Sequence, residues 1–221
     1  LTVALCIQLK TMNSANSTVS QSLADNELRD EVLRMKERYD NAYADLENAQ
    51  KELEKIRQEA TQNDGEAEAK EQELKENNML LGNTDVTGEG VEVILADADT
   101  TNTNLNASLQ IIHYDDIQIV VNELKNAGAE AIEVNGQRIV NTTAITCEGN
   151  IIKINGEKIG SPFTIKAIGS QNLLYGALER AGSYLDQIRD GGNTAQVTKV
   201  DNITISKYTG VTSYEYLKED K

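Results

Sequence analysis

Tryptophan is absent from this chain, and phenylalanine and proline occur once each, as Phe163 and Pro162. With no Trp and a single Phe, a core has to be mainly aliphatic and of modest size. There is one histidine, His113, so a two-histidine metal site is excluded. The two cysteines, Cys6 and Cys147, have neither the spacing of a metal site nor an evident disulfide partner. Basic residues are outnumbered 21 to 36, which leaves a net charge of -15. Such a chain repels nucleic acid phosphates and anionic headgroups, so nucleic acid is excluded as a main partner.

Long apolar runs are also missing. The opening LTVALCIQL is nearly all apolar, but a bilayer span needs roughly 20 such residues. The run reads as the last turns of a membrane anchor or signal-anchor helix over residues 1–10. That predicts a single-pass protein of the cell membrane with its domain outside the cytoplasm. A short structured helix is the alternative. A lipoprotein cysteine at Cys6 would need a small residue before it, where Leu5 stands. A polar linker rich in Ser and Asn follows over residues 11–24.

From Leu28 the apolar residues take a new rhythm. They fall at Leu28, Val32, Met35, Tyr39, Ala42, Leu46, Ala49, Leu53, Ile56 and Ala60, in alternating steps of four and three. This heptad seam predicts a coiled-coil stalk over residues 25–82, with Leu28, Val32, Met35, Tyr39, Leu46, Leu53 and Ile56 as the oligomerisation seam. Neither proline nor glycine occurs between Leu28 and Ala60. With Leu28 at position d, Glu31 and Glu52 occupy g, and Lys36 and Arg57 the following e, which favours a parallel homodimer; a solvated single helix or an antiparallel hairpin within one chain is the alternative. Ala42 and Ala49 weaken the seam. At Asn63, Asp64 and Gly65 the rod either continues through Leu74 and Leu81 or turns back as a hairpin. A continuous helix from Leu28 to Leu81 would be about 80 Å long.

Past Gly88 charge falls and β-branched residues rise, so a globular domain is expected over residues 83–210, with a tail over 211–221. Val91–Leu95 reads as a strand. HYDDIQIVVNELKNAGAEA reads as a helix with Asp115 as N-cap, an apolar face of Ile119, Val120 and Leu124, and a stop at Gly128. Two Asn-Gly pairs, Asn135-Gly136 and Asn155-Gly156, each sit between alternating apolar segments. That is the strongest short hairpin signal, because a type I′ turn needs positive φ at both central residues. The segment predicts an antiparallel meander of strands 131–134, 138–147, 151–154 and 157–159. A strand over 163–168, a helix broken near Gly182, and a last strand complete the order. The fold class expected is α+β: a ferredoxin-like split βαβ sheet with inserted β-hairpins, preceded by an N-terminal coiled-coil helix. A sheet with another strand order is the alternative.

Chemistry-bearing motifs are sparse. His113 and Cys147 fall in different elements, and Cys147 reads as a small buried strand residue. Asp97, Asp99, Asn102 and Asn104 resemble a loose cation loop, but Asn102 stands where a calcium loop needs glycine, so they read as a solvated loop. Gly88-Glu89-Gly90 precedes a strand rather than following one, unlike a phosphate cradle. Arg138 is the one residue singled out as a ligand contact, for a carboxylate or phosphate group. Pairing with Glu130 or Glu133 is its structural alternative. No catalytic residue, metal or cofactor is expected.

Between Gly88 and about Tyr208 the chain resembles the bacterial domain-of-unknown-function family numbered 881. The residues that carry the likeness are GEGVEVILAD, IVVNELKNAGAEAIEVNGQRI, ITCEGNIIKINGEKI and PFTIKAIG. The resemblance implies a membrane-anchored protein of Gram-positive bacteria, encoded near cell-division genes. It implies no activity or ligand, so no catalytic residue is carried over.

The function expected is a non-enzymatic, membrane-anchored, extracytoplasmic protein-interaction module. Its partners would be a second copy through the coiled coil, an envelope or division protein, and the membrane through the anchor. The rival is an extracytoplasmic small-ligand sensor, which requires Arg138 to be exposed and unpaired in a concave pocket. A hydrolase would require His113 within reach of Cys147 or a serine.

Overall fold

The computed structural model describes residues 2–61, 65–98, 110–149, 151–210 and 216–218. Asp99, Asn102 and Asn104 of the polar loop lie outside the described residues, as do Asn63 and Asp64, where the rod either continues or turns. The chain divides into two compact units, Leu1–Glu71 and Gln72–Lys221.

Helix α1 spans Thr2–Thr61 and α2 spans Gly65–Leu80. α1 runs straight through residues 11–24, where a linker was expected. Ser, Thr and Asn each lower helix propensity by less than about 0.7 kcal/mol, and no Pro or Gly breaks the stretch. The expected membrane anchor does not survive. Among the described residues no helix is long and apolar enough to cross a membrane. The apolar opening of α1 covers about 14 Å at helical rise, against the roughly 30 Å of a hydrocarbon core. This conflicts with the single-pass cell-membrane topology expected from the sequence, with its domain outside the cytoplasm.

Along α1 the large heptad side chains from Leu28 to Ile56 are exposed, from 46% for Leu53 to 62% for Leu28. Tyr39 and Tyr43, four apart, stack with ring centroids 6.4 Å apart. Lys51 pairs with Glu47 at 2.9 Å, which stabilises the helix only by tenths of a kcal/mol.

The second unit is a mixed α+β domain. Its main sheet has five strands: β1 (Val86–Ala96), β2 (Ala131–Val134), β3 (Gln137–Ile139), β7 (Phe163–Ile168) and β8 (Thr194–Ile205), in the order β3-β2-β7-β1-β8. Every neighbouring pair is antiparallel. Both β1 and β2 pair antiparallel with β7, which lies between them, so β1 and β2 run parallel. A second sheet, β4-β5-β6, holds Ile145–Glu148, Ile151–Ile154 and Glu157–Ile159.

Three helices join these strands: α3 (Tyr114–Asn126), α4 (Gln171–Leu178) and α5 (Tyr184–Asp190). α3 starts one residue before the expected cap. His113 is the N-cap, and its N–H donates to Asp116 Oδ2 at 2.6 Å, which satisfies one free donor of the first turn. Its buried face is Ile117, Val120, Val121 and Leu124. The break expected near Gly182 separates α4 from α5, and Ser183 caps α5 by accepting from the Asp186 N–H.

Both Asn-Gly pairs form the expected turns. Asn135 and Asn155 have φ of 46° and 54°, and Gly136 and Gly156 have 81° and 85°. The strand expected over 138–147 is instead two strands in two sheets. Thr143 Oγ1 accepts from Val140 N–H at 2.9 Å, and Thr143 N–H donates back to Val140 O at 3.1 Å. This closed turn ends β3 before β4 begins.

The main core lies between the helices and one face of the sheet. Val91, Val93, Leu95, Ile165 and Ala167 meet Leu124, Leu174, Leu178 and Leu185, all buried. Ile145, Ile152 and Ile154 of the small sheet join the same cluster. A smaller cluster of Ala131, Ile168, Ile203 and Ile205 is packed separately. Phe163, the lone phenylalanine, is 3% exposed within an otherwise aliphatic core.

Candidate functional site

Arg138 is the sequence-derived candidate, and the structure places it under cover. It lies on β3, directly opposite Glu133 of β2. The turn at Asn135-Gly136 dictates this: a two-residue loop sets 134 against 137 and 133 against 138. Arg138 is 4% exposed and Glu133 is 6% exposed. Burial lowers the pKa of the guanidinium, while the carboxylates of Glu133 and Asp85 oppose the shift.

Three further groups complete the cluster. Lys166 Nζ lies 3.6 Å from Glu133 Oε1. Ser206 N–H donates to Glu133 Oε2 at 3.3 Å, and Arg138 Nη1 donates to Ser206 O at 3.5 Å. Next along the chain, Lys207 N–H donates to Asp85 Oδ1 at 2.7 Å and Tyr208 N–H to Gly82 O at 2.8 Å. Residues 206–208 thus form a strap tied at every residue. Arg138 and Glu133 hold its start, and the segment between α2 and β1 holds its end.

Beside this cluster is a cleft of about 230 Å³, lined by Leu80, Leu81, Ile139 and Val140 together with Glu130, Arg138 and Asn141. Of the two acids weighed as partners, Glu133 faces Arg138 across the ladder, whereas Glu130 is an exposed residue at the cleft. Arg138 is not the exposed, unpaired cation that a ligand sensor needs. Asp85, Lys166 and Ser206 had no signal in the sequence, because nothing local relates them to Arg138.

The two Asn residues of the repeated turns do more than turn. Asn135 Oδ1 accepts from Thr164 N–H at 2.7 Å, tying the first hairpin to β7. Asn155 Nδ2 donates to Arg138 O at 3.0 Å, tying the small sheet to β3. Equal turn chemistry therefore serves two different junctions.

His113 and Cys147 occupy separate elements, the N-cap of α3 and strand β4. Cys147 is exposed, not buried as expected. It shares a face with buried Ile145 and lies opposite buried Ile152, but β4 carries it past the rim of the core. Gly88-Glu89-Gly90 lies inside β1, not before it.

One polar contact predicts a pH effect. Tyr184 Oη donates to Asp116 Oδ1 at 2.6 Å. Burial first, and then this bond, raise the phenol pKa above its ordinary value. The folded state keeps a proton that the unfolded chain releases near pH 10, so this stabilisation is complete below about pH 10 and is lost as pH rises beyond it. Tyr184→Phe is expected to cost roughly 1–2 kcal/mol at neutral pH and to flatten the alkaline decline in urea-unfolding stability. An unchanged alkaline slope would contradict this assignment.

Together these features define the class of the protein: a mixed α+β domain with antiparallel sheets, preceded in the chain by a long N-terminal helix. A family profile described as bacterial protein of unknown function (DUF881) matches residues 73–218, and the chain belongs to that family. The UPF0749 protein YlxW of Bacillus subtilis (strain 168) is 38% identical over 125 residues, covering 57% of this chain and 54% of that protein. The UPF0749 protein Rv1823 of Mycobacterium tuberculosis is 32% identical over 114 residues, covering 48% of this chain and 37% of that protein. The UPF0749 protein Rv1825 of the same organism is 25% identical over 227 residues, covering 100% of this chain and 73% of that protein. This chain thus spans about half the length of the Bacillus relative. A crystal structure of an uncharacterized conserved protein from Mycobacterium tuberculosis superposes with a TM-score of 0.55 at 22% identity, over 67% of this chain and 99% of that one. That likeness is one of fold.

Proposed function

We propose that this chain is a non-enzymatic protein-interaction module that associates through the heptad seam of α1. One observation carries the reading. Leu28, Val32, Met35, Tyr39, Leu46, Leu53 and Ile56 form an apolar stripe at coiled-coil spacing, and all are exposed. A stripe of that length in water is stabilised by covering it with another helix. The β8 edge of the main sheet is a poorer docking surface, because Asp201 and Asn202 bulge opposite Glu89, and a bulge blunts an edge.

Three of the four buried polar residues among the described residues favour a structural reading over a catalytic one. Glu133 and Arg138 hold the C-terminal strap, and Ser183 caps α5. The ferredoxin-like reading of the sheet is supported by the order β2-β7-β1-β8, with β1 and β2 parallel around β7. The further partner suggested by the family resemblance is a protein of cell division or envelope assembly.

The test is the solution mass of the full chain by light scattering over a range of concentrations. A mass near twice 24.2 kDa is expected. Val32→Asp/Leu46→Asp/Leu53→Asp should return it to monomer without lowering the Tm of the α+β domain. A wild-type chain that stays monomeric at every concentration defeats the reading.

A further inference from the structure

We infer that the partner of the α1 seam is a second copy of this chain, aligned parallel and in register. The inference rests on the reading of the seam as an interaction surface, and it is drawn from the flanks of the seam. With Leu28 at d, one flank is Arg29, Lys36, Tyr43, Gln50 and Arg57. The other is Glu31, Arg38, Asp45, Glu52 and Glu59. The first flank contains no acid, and the second contains four acids and one base. All of these side chains are exposed except those of Tyr43 and Arg57, which are half-buried.

Opposite flanks meet in a parallel pair, whereas like flanks meet in an antiparallel one. In the parallel pair Glu31 faces the partner's Lys36 and Glu52 faces the partner's Arg57. By symmetry that makes four attractive contacts and, within α1, no like-charged one. In the antiparallel pair Arg29 meets the partner's Arg57, Glu31 the partner's Glu59, and Asp45 the partner's Asp45. Five contacts then repel, and only the two between Arg38 and Glu52 attract. Each exposed pair shifts association about 1.5- to 2-fold, so the flanks favour the parallel form by on the order of fiftyfold. The apolar layers compete with this preference. An antiparallel pair would set Tyr39 against Ala49 and Leu46 against Ala42, filling the two alanine layers better. The deciding experiment therefore has to read direction itself.

The full chain is made with Cys6→Ser and Cys147→Ser, and then with either Leu53→Cys or Met35→Cys. Each is oxidised mildly, alone and mixed, beside a light-scattering measurement of its mass. In a parallel register residue 53 meets its own copy, as does residue 35, so each chain alone should give a covalent dimer. In the antiparallel form residue 53 faces residue 35, and the two copies of residue 53 stand about 27 Å apart. Cross-linking only in the mixture, at doubled mass, would overturn the direction and leave the interaction reading intact. A monomeric mass without cross-links would overturn both. Because a seam cysteine weakens packing, a charge swap supplies the second test. Glu31→Lys/Glu52→Lys should raise the dimer Kd on the order of tenfold, and adding Lys36→Glu/Arg57→Glu should restore it. Failure of that rescue in a dimeric protein counts against the parallel register.

Discussion

Gly90→Ala is expected to unfold the α+β domain. Gly90 is buried in β1, directly opposite Ile168 of β7. A β-carbon there would lie 1.9 Å from the Ala167 carbonyl oxygen and 2.9 Å from its carbon. Both obstacles are backbone, so no rotamer change relieves them. Moving β7 away would break the ladder at the centre of the sheet and open the core around Ile165 and Ala167. The expected cost exceeds ~4 kcal/mol, a large share of a domain's ~5–15 kcal/mol. Gly176→Ala is the control. A β-carbon at Gly176 meets nothing within 4 Å, and the residue lies inside α4. There alanine should stabilise by about 0.5–1 kcal/mol. Thermal and urea unfolding followed by circular dichroism separates the two. A Gly90→Ala domain with near-native Tm would show that β1 and β7 do not approach as described.

Arg138→Ala is expected to cost about 3–5 kcal/mol, as removing one member of a buried ion pair does. It leaves Glu133 buried with Lys166 as its remaining charged partner, and it frees the carbonyl of Ser206. Arg138→Met/Glu133→Leu removes both charges while keeping volume. Much of the stability should then return, because the desolvation cost leaves with the pair. Proteolysis near residues 206–208 should increase in Arg138→Ala and less so in the double variant. A loss below about 1 kcal/mol in the single variant, measured by urea unfolding, would remove the structural role of Arg138. The cleft beside it would then be the place to look for what holds the guanidinium.

Chain-local features could be read from the residues alone. The Asn-Gly pairs turn where they do because two consecutive residues must take positive φ. Pairing 133 with 138 follows from the length of that turn. The helical course of the heptad stretch is legible because apolar spacing repeats along a helix, and so is α3, although its buried face runs through Ile117 and Val121 and leaves Ile119 half-buried. Each of these depends on residues a few positions apart.

Other outcomes depended on partners far along the chain. Gly90 looked like part of a loose Gly-Glu-Gly lead-in, and only the approach of β7 makes it irreplaceable. Arg138 looked available to a ligand until the strap from residue 206 covered it. Cys147 alternates correctly for a buried position, but burial depends on how far the core extends, and β4 overshoots it. The strand expected over 138–147 failed because the Thr143 hydroxyl closed a local turn, which released β4 to a second sheet. Local periodicity states which way a side chain points. Whether anything is packed there is decided by the sheet order and by segments 29 and 68 residues away, as with Asn135 and Thr164 or Arg138 and Ser206.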